Sequence, residues 1–162
     1  MKHFIAVLIV LCSLSPQVFA KASFQTKNEM IEKAEAIAIV EISAVQDSET
    51  KGKMWTYRMQ GSVKVEKILK GKLPQEFTIY GGENFICARC PVTQGRFVVF
   101  LKKDGDFWTG SNWHFSLRPI KDGMVEWYAA DNTPFAMKPM ALNSVLAEIK
   151  THNAMKAVDA AH

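Results

Sequence analysis

From Trp55 to Glu66 the chain alternates between apolar and polar residues. Trp55, Tyr57, Met59, Val63 and Val65 share one parity, with Gly61 in the same register, while Thr56, Arg58, Gln60, Ser62, Lys64 and Glu66 share the other. A period of two held this long predicts a half-buried strand, because a helix would scatter the apolar positions around its circumference. A glycine on the inward face of so long a strand predicts a bend or bulge, as a small closed barrel requires. Ala36 to Val45 (AIAIVEISAV) is rich in β-branched residues and too apolar for an exposed strand; Asp47 to Gly52 reads as a polar connector. Arg96 to Leu101 (RFVVFL) is apolar on both faces, which predicts a central strand.

Turn chemistry orders the rest. Asp104-Gly105 predicts a tight hairpin to Phe107-Trp108, and Asp122-Gly123 joins Leu117-Arg118-Pro119-Ile120 to Met124 to Tyr128 in the same way. Phe77 to Tyr80 is a further short strand, and Gly81 to Gly95 reads as a long loop. Thr26-x-x-Glu29 fits a capping box, with Met30, Ile31 and Ala34 on one face after it, so a short helix opens the domain. Leu142, Val145, Leu146 and Ile149 recur at i, i+3, i+4 and i+7, predicting a closing helix after Pro139. Six or seven strands with one bent long strand predict a mainly β fold. The expected form is a small closed barrel of five to six strands with a short N-terminal and a C-terminal helix; a β-sandwich is the next arrangement.

Charge and address narrow the function classes. The 162 residues carry 20 Lys and Arg against 16 Asp and Glu, a formal charge of +4, interspersed along the chain. This is not the pattern of a nucleic-acid-binding arm or a polybasic membrane patch. Met1-Lys2-His3, the apolar run Phe4 to Leu14, Pro16 and Val18-Phe19-Ala20 have the form of a cleaved secretory signal. The apolar run is about half the roughly 20 residues a spanning helix needs. Residues 1–20 are thus expected to leave. The expectation is a single domain over 21–151, a tail or helix extension over 152–162, and a periplasmic or secreted protein without membrane insertion after cleavage.

Export changes the cysteine arithmetic. Cys12 leaves with the signal, and Cys87 and Cys90 remain as Cys-Ala-Arg-Cys, a pair expected to oxidise. The pair reads first as a small disulfide ring stiffening a loop; thiol exchange and metal binding are the alternatives. Gly95 and the strand at Arg96 leave no room for the helix that would activate the first thiol. His114 and His152 lie too far from the cysteines for a zinc spacing. There is no Gly-x-Ser-x-Gly, no His-Glu-x-x-His and no glycine-rich phosphate loop, so no catalytic residue, metal or cofactor is assigned. Phe107, Trp108, Trp113, Phe115, Trp127 and Tyr128 cluster, and most are expected to pack the barrel. Recognition in a closed barrel falls to loops. The candidate binding residues are therefore Phe85, Ile86 and Arg89, with Trp113 and His114 as second choice.

One resemblance follows from element order. An apolar first strand after Ala34-Glu35 precedes a long strand ending Val65-Glu66-Lys67-Ile68-Leu69-Lys70-Gly71. Leu73-Pro74, a short strand, a cysteine-bearing loop and Gly95-Arg96-Phe97-Val98-Val99-Phe100-Leu101 follow. This order, from Ala34 to Tyr128, resembles bacterial members of the netrin-like superfamily, which includes the tissue inhibitors of metalloproteinases. The resemblance implies a five-stranded barrel of the oligonucleotide/oligosaccharide-binding type with flanking helices. It does not carry over inhibition, since those inhibitors begin at a zinc-chelating cysteine and the chain after Ala20 begins Lys21-Ala22-Ser23. The expected function is an exported, non-enzymatic binding or inhibitor-like module acting on another envelope or secreted protein. The alternative is a thiol-disulfide active envelope protein using Cys87 and Cys90.

Overall fold

Residues 24–85 and 88–159 are described in a computed structural model of the chain. The expected signal, residues 1–20, lies outside them. Thr26 opens α1 (Lys27–Lys33) with both arms of the capping box: its hydroxyl accepts from Glu29 N, and its own N–H donates to the Glu29 carboxylate. Met30 and Ile31 are the buried face of that helix.

Among the described residues nine strands follow: β1 (Ala36–Lys51), β2 (Thr56–Lys70), β3 (Glu76–Phe85), β4 (Ala88–Cys90), β5 (Gly95–Asp104), β6 (Phe107–Gly110), β7 (Leu117–Lys121), β8 (Met124–Tyr128) and β9 (Met137–Ala141). Helix α2 (Leu142–Asp159) closes the described chain. Strands β1, β2, β3, β6 and β5 close a ring, β5 pairing back onto β1. Four of the five junctions are antiparallel. The β3–β6 junction is parallel and rests on two residue pairs, Ile79↔Trp108 and Tyr80↔Thr109, so the ring is not a regular barrel. The fold is thus mainly β and barrel-like with a helix at each end, as the hydrophobic pattern predicts. Strands β7, β8 and β9 extend the sheet outward from β5.

Strand β2 alternates as expected, Tyr57, Gly61, Val63 and Val65 facing in and Thr56, Arg58, Ser62 and Lys64 facing out. Gly61 is needed for space. A Cβ there would stand 2.9 Å from Ile42 Cγ2 and 3.0 Å from Val92 Cγ1. Strand β1 is held between β2 and β5 from Ile37 to Ile42. Beyond that it pairs with β2 alone, and a register shift between Ser43 and Gln46, with Ala44 at φ 46°, bends it.

Because β1 and β5 are covered on both faces, they divide two cores. Ala36, Ala38, Val40 and Ile42 with Phe97, Val99 and Leu101 fill the ring. Ile37, Val98 and Phe100 face outward onto Met30, Phe115, Trp127, Val145 and Ile149. Trp127, fully buried, stacks on Phe100 at 5.7 Å and donates from Nε1 to Glu148 of α2 at 2.9 Å. Burying a side chain of this size contributes about 3 kcal/mol, enough to dock the helix on β8. No helix among the described residues is long and apolar enough to cross a membrane.

Three elements differ from expectation. The polar stretch Asp47–Lys51 is strand, since pairing with Met59, Tyr57 and Thr56 of β2 satisfies its backbone. The expected long loop over 81–95 is largely a β3–β4 hairpin, with Gly82↔Cys90 and Glu83↔Arg89 in register. Residues 137–141 form β9 rather than a lead-in to the helix. Its proline is tolerated because β9 is the outer strand of the sheet, with no neighbour beyond it among the described residues. Over 152–162, expected as a tail or helix extension, α2 continues as far as Asp159.

Candidate functional site

The β1–β2 and β5–β6 turns, the β4 strand and a single 3₁₀ turn (Trp113–Phe115) converge at one end of the ring. Their common anchor is Asp104, the last residue of β5 and 6% exposed. Its two carboxylate oxygens accept from Met54 N at 3.0 and 3.2 Å, and Oδ2 also accepts from the Tyr57 hydroxyl at 2.8 Å. Burial and the adjacent Asp104 carboxylate push the Tyr57 phenol well above its ordinary pKa, so it stays a donor. The β1–β2 turn is thereby clamped, and the next residue after Met54 is Trp55.

Trp55 meets Trp113 edge-to-face, ring centroids 5.6 Å apart, and the Lys102 ammonium sits 5.9 Å over the Trp113 ring. Trp113 has φ 49°, a left-handed backbone that a bulky residue adopts only under constraint. The constraint is visible. Ser116 N donates to Trp113 O, and Asn112 N donates to Ser116 Oγ at 2.6 Å. Both tryptophans are half-buried. Below them Tyr57, Gly81, Gly82, Cys90, Thr109 and Gly110 line a cleft of about 20 Å³, room for a single water. Gly110 has no alternative here, because a Cβ would stand 2.7 Å from both Cys90 Sγ and Ser116.

Of the five candidate binding residues, three can be placed. Arg89, on β4, is exposed, and so is His114 on the 3₁₀ turn, next to the half-buried Trp113. Partial desolvation of the ring and the Arg118 and Arg89 cations hold the His114 imidazole below its ordinary pKa. The β4 strand and the 3₁₀ turn are neighbours, so the first and second choices share one surface. Phe85 is the last residue of β3, its side chain not among those described, and Ile86 lies outside the described residues. So does Cys87, and with it the expected Cys87–Cys90 ring. Cys90 itself is a buried free thiol, pushed up to about 11 by desolvation.

Trp55, Lys102 and Asp104 belong to the site without having been singled out as binding residues. Of the clustered aromatics, Phe115, Trp127 and Tyr128 are buried, whereas Phe107, Trp108 and Trp113 are half-buried. A wider cleft of about 500 Å³ lies elsewhere, lined by Glu32, Leu69, Lys70, His152, Asn153 and Lys156. Lys70 is committed there to the Ile31 and Glu32 carbonyls at 2.8 and 2.7 Å, and Lys156 to Glu32 at 3.3 Å. Among the described residues no group of three His, Cys, Asp or Glu is placed to hold a metal ion. Comparison with protein-family models and with curated proteins finds no match to the chain.

Proposed function

We propose that the chain is an exported, non-enzymatic binding module that engages another envelope or secreted protein through the turn-bearing end of its strand ring. The observation that carries this reading is the Trp55–Trp113 pair, half-exposed beside Arg89 and His114 and mounted on a clamped turn and a strained 3₁₀ turn. Tryptophan and arginine dominate binding energy at protein interfaces, and their effect grows when the backbone beneath them is already ordered. The netrin-like relationship and the inhibitor-like role enter this reading through the order of sequence elements alone, without the N-terminal cysteine chelation of metalloproteinase inhibitors. Export to the periplasm or the exterior rests on residues 1–20. Thiol exchange at Cys87 and Cys90 has less support, since a buried thiol with a raised pKa is a poor nucleophile at neutral pH.

The test is capture of a partner from envelope or secreted extract on immobilised protein, with Trp113→Ala and Arg89→Ala measured beside the wild type for capture and thermal stability. Lost capture with a melting temperature within about 3 °C of wild type, under 1 kcal/mol for a domain this size, supports the reading. Capture equal to wild type for both variants overturns it.

A further inference from the structure

The end of the ring that carries Trp55 and Trp113 is rich in cations. Residues 51–58, 88–92, 102–106 and 110–116 contain Lys51, Lys53, Arg58, Arg89, Lys102 and Lys103, with Asp104 and Asp106 as their acids. Glu83, opposite Arg89 in the β3–β4 pairing, makes the balance six to three, against 20 to 16 in the whole chain. One of the three acids is spent internally, since Asp104 is buried and accepts from Met54 N and the Tyr57 hydroxyl.

The cations at this end are not matched as those elsewhere are. Lys27, Lys33, Arg96 and Lys156 each pair with a carboxylate, on α1, on α2 or where β2 and β5 lie far from the turns. Among the described residues Lys51, Lys53, Arg58, Lys102 and Lys103 form no such pair. Lys102 and Lys103 lie over the Trp113 and Trp108 rings instead, at 5.9 and 5.2 Å. His114 and Cys90 sense the same sign. Burial is the larger influence on each, and the charges they feel are cations: Arg118 and Arg89 at His114, Lys102 at Cys90.

An apolar centre lies among these charges. Met54, 74% exposed, stands between Lys53 and the half-buried Trp55 on the turn that Asp104 clamps. That turn lies beside the β5–β6 turn, for a Cβ on Gly105 would stand 4.0 Å from Lys53 Cβ. The cleft beneath the tryptophans has room for one water, so an occupant lies across the surface rather than inside it. Like charges held together on ordered backbone repel one another, and carboxylates on a partner relieve that repulsion and speed encounter.

We infer that the partner presents an acidic protein segment, Asp and Glu flanking an aliphatic or aromatic side chain, which lies across Met54, Trp55 and Trp113 with its carboxylates against Lys53 and Lys102. This rests on the recognition surface proposed above and names the chemistry of what it takes. A nucleic-acid strand is the poorer occupant, because its backbone is tracked by a continuous basic groove, whereas these cations surround a compact apolar centre.

The experiment is an NMR titration of the protein with three probes: the peptide Glu-Asp-Leu-Trp-Asp-Glu, its charge-reversed form Lys-Arg-Leu-Trp-Arg-Lys, and single-stranded oligothymidylate. The acidic peptide is expected to shift amides of residues 52–57, 88–92 and 110–116, and to bind about tenfold more weakly when ionic strength rises from about 0.02 to about 0.3 M. Lys53→Glu is expected to weaken it several-fold, and Lys102→Met, which keeps the stem over Trp113, to weaken it at unchanged melting temperature. No shift at these residues, equal binding of the basic peptide, or tighter binding of oligothymidylate overturns the inference. A captured partner that needs Trp113 yet ignores salt and both lysine variants overturns the acidic segment alone. Capture indifferent to Trp113→Ala and Arg89→Ala overturns the recognition surface itself.

Discussion

Asp104→Ala tests whether the site is mounted on a rigid turn. The wild-type carboxylate accepts two donors, Met54 N and the Tyr57 hydroxyl, and Tyr57 is 3% exposed. Each bond to a charged acceptor contributes about 1.5–3 kcal/mol, and the Tyr57 hydroxyl is left with Thr109 as its side-chain partner. Part of this is recovered because Asp104 need no longer be desolvated and Met54 N can turn to water. The net expected loss is about 2–4 kcal/mol, or roughly 6–12 °C in melting temperature for a domain this size. Asp104→Asn, which keeps the shape and one acceptor oxygen, should lose about half as much. Urea unfolding measures the loss, and a cycle with Tyr57→Phe isolates the pair, with an expected coupling of roughly 1–2 kcal/mol. Trp55 fluorescence should shift to the red in Asp104→Ala as the turn loosens. A loss below about 1 kcal/mol with zero coupling would refute the clamp, leaving the turn held by its Gly52 N to Trp55 O bond alone.

Three other outcomes are expected. The Glu29 carboxyl is held down to about 2 by the Thr26 backbone N–H and by Lys33, so its stabilising effect is present above about pH 4.5 and disappears as pH falls towards 2; Glu29→Gln should flatten that part of the acid unfolding curve. In the reduced protein the Cys90 thiol, raised from 9.0 to about 11, makes stability fall as pH rises through that interval; Cys90→Ser should remove this limb, and alkylation at pH 8 should require unfolding. Gly61→Val should cost about 2–3 kcal/mol in denaturant unfolding by overpacking against Ile42 and Val92, whereas Ser62→Val on the outer face should be near neutral.

How much of this was legible depends on where each residue's partners lie. The Trp55–Glu66 alternation and the doubly apolar Arg96–Leu101 run report directly on burial, and they locate the ring and its two-faced strand. Both Asp-Gly hairpins are local chemistry and formed where expected; Asp122 and Gly123 have φ of 51° and 73°. Strands β4 and β9 carry no period of their own. They exist because β3 and β8 offer backbone to pair with, which is tertiary context rather than pattern. In the site, Trp113 is legible because Gly110-Ser111-Asn112 before it reads as a loop, although Gly110 itself ends β6. Asp104 looked like a turn residue, and its long-range acceptance of Met54 N, fifty positions away, leaves no trace in sequence. Arg118 sits in a short strand like any surface arginine; only its register with Val98 turns it inward.

The most direct test of the recognition surface is an amide hydrogen-exchange footprint of the protein bound to its captured partner. The account predicts slowed exchange in residues 52–57, 88–92 and 110–116, with β9 and α2 unchanged. Protection confined to the opposite cleft of Glu32, Leu69, Lys70, His152, Asn153 and Lys156 would contradict it.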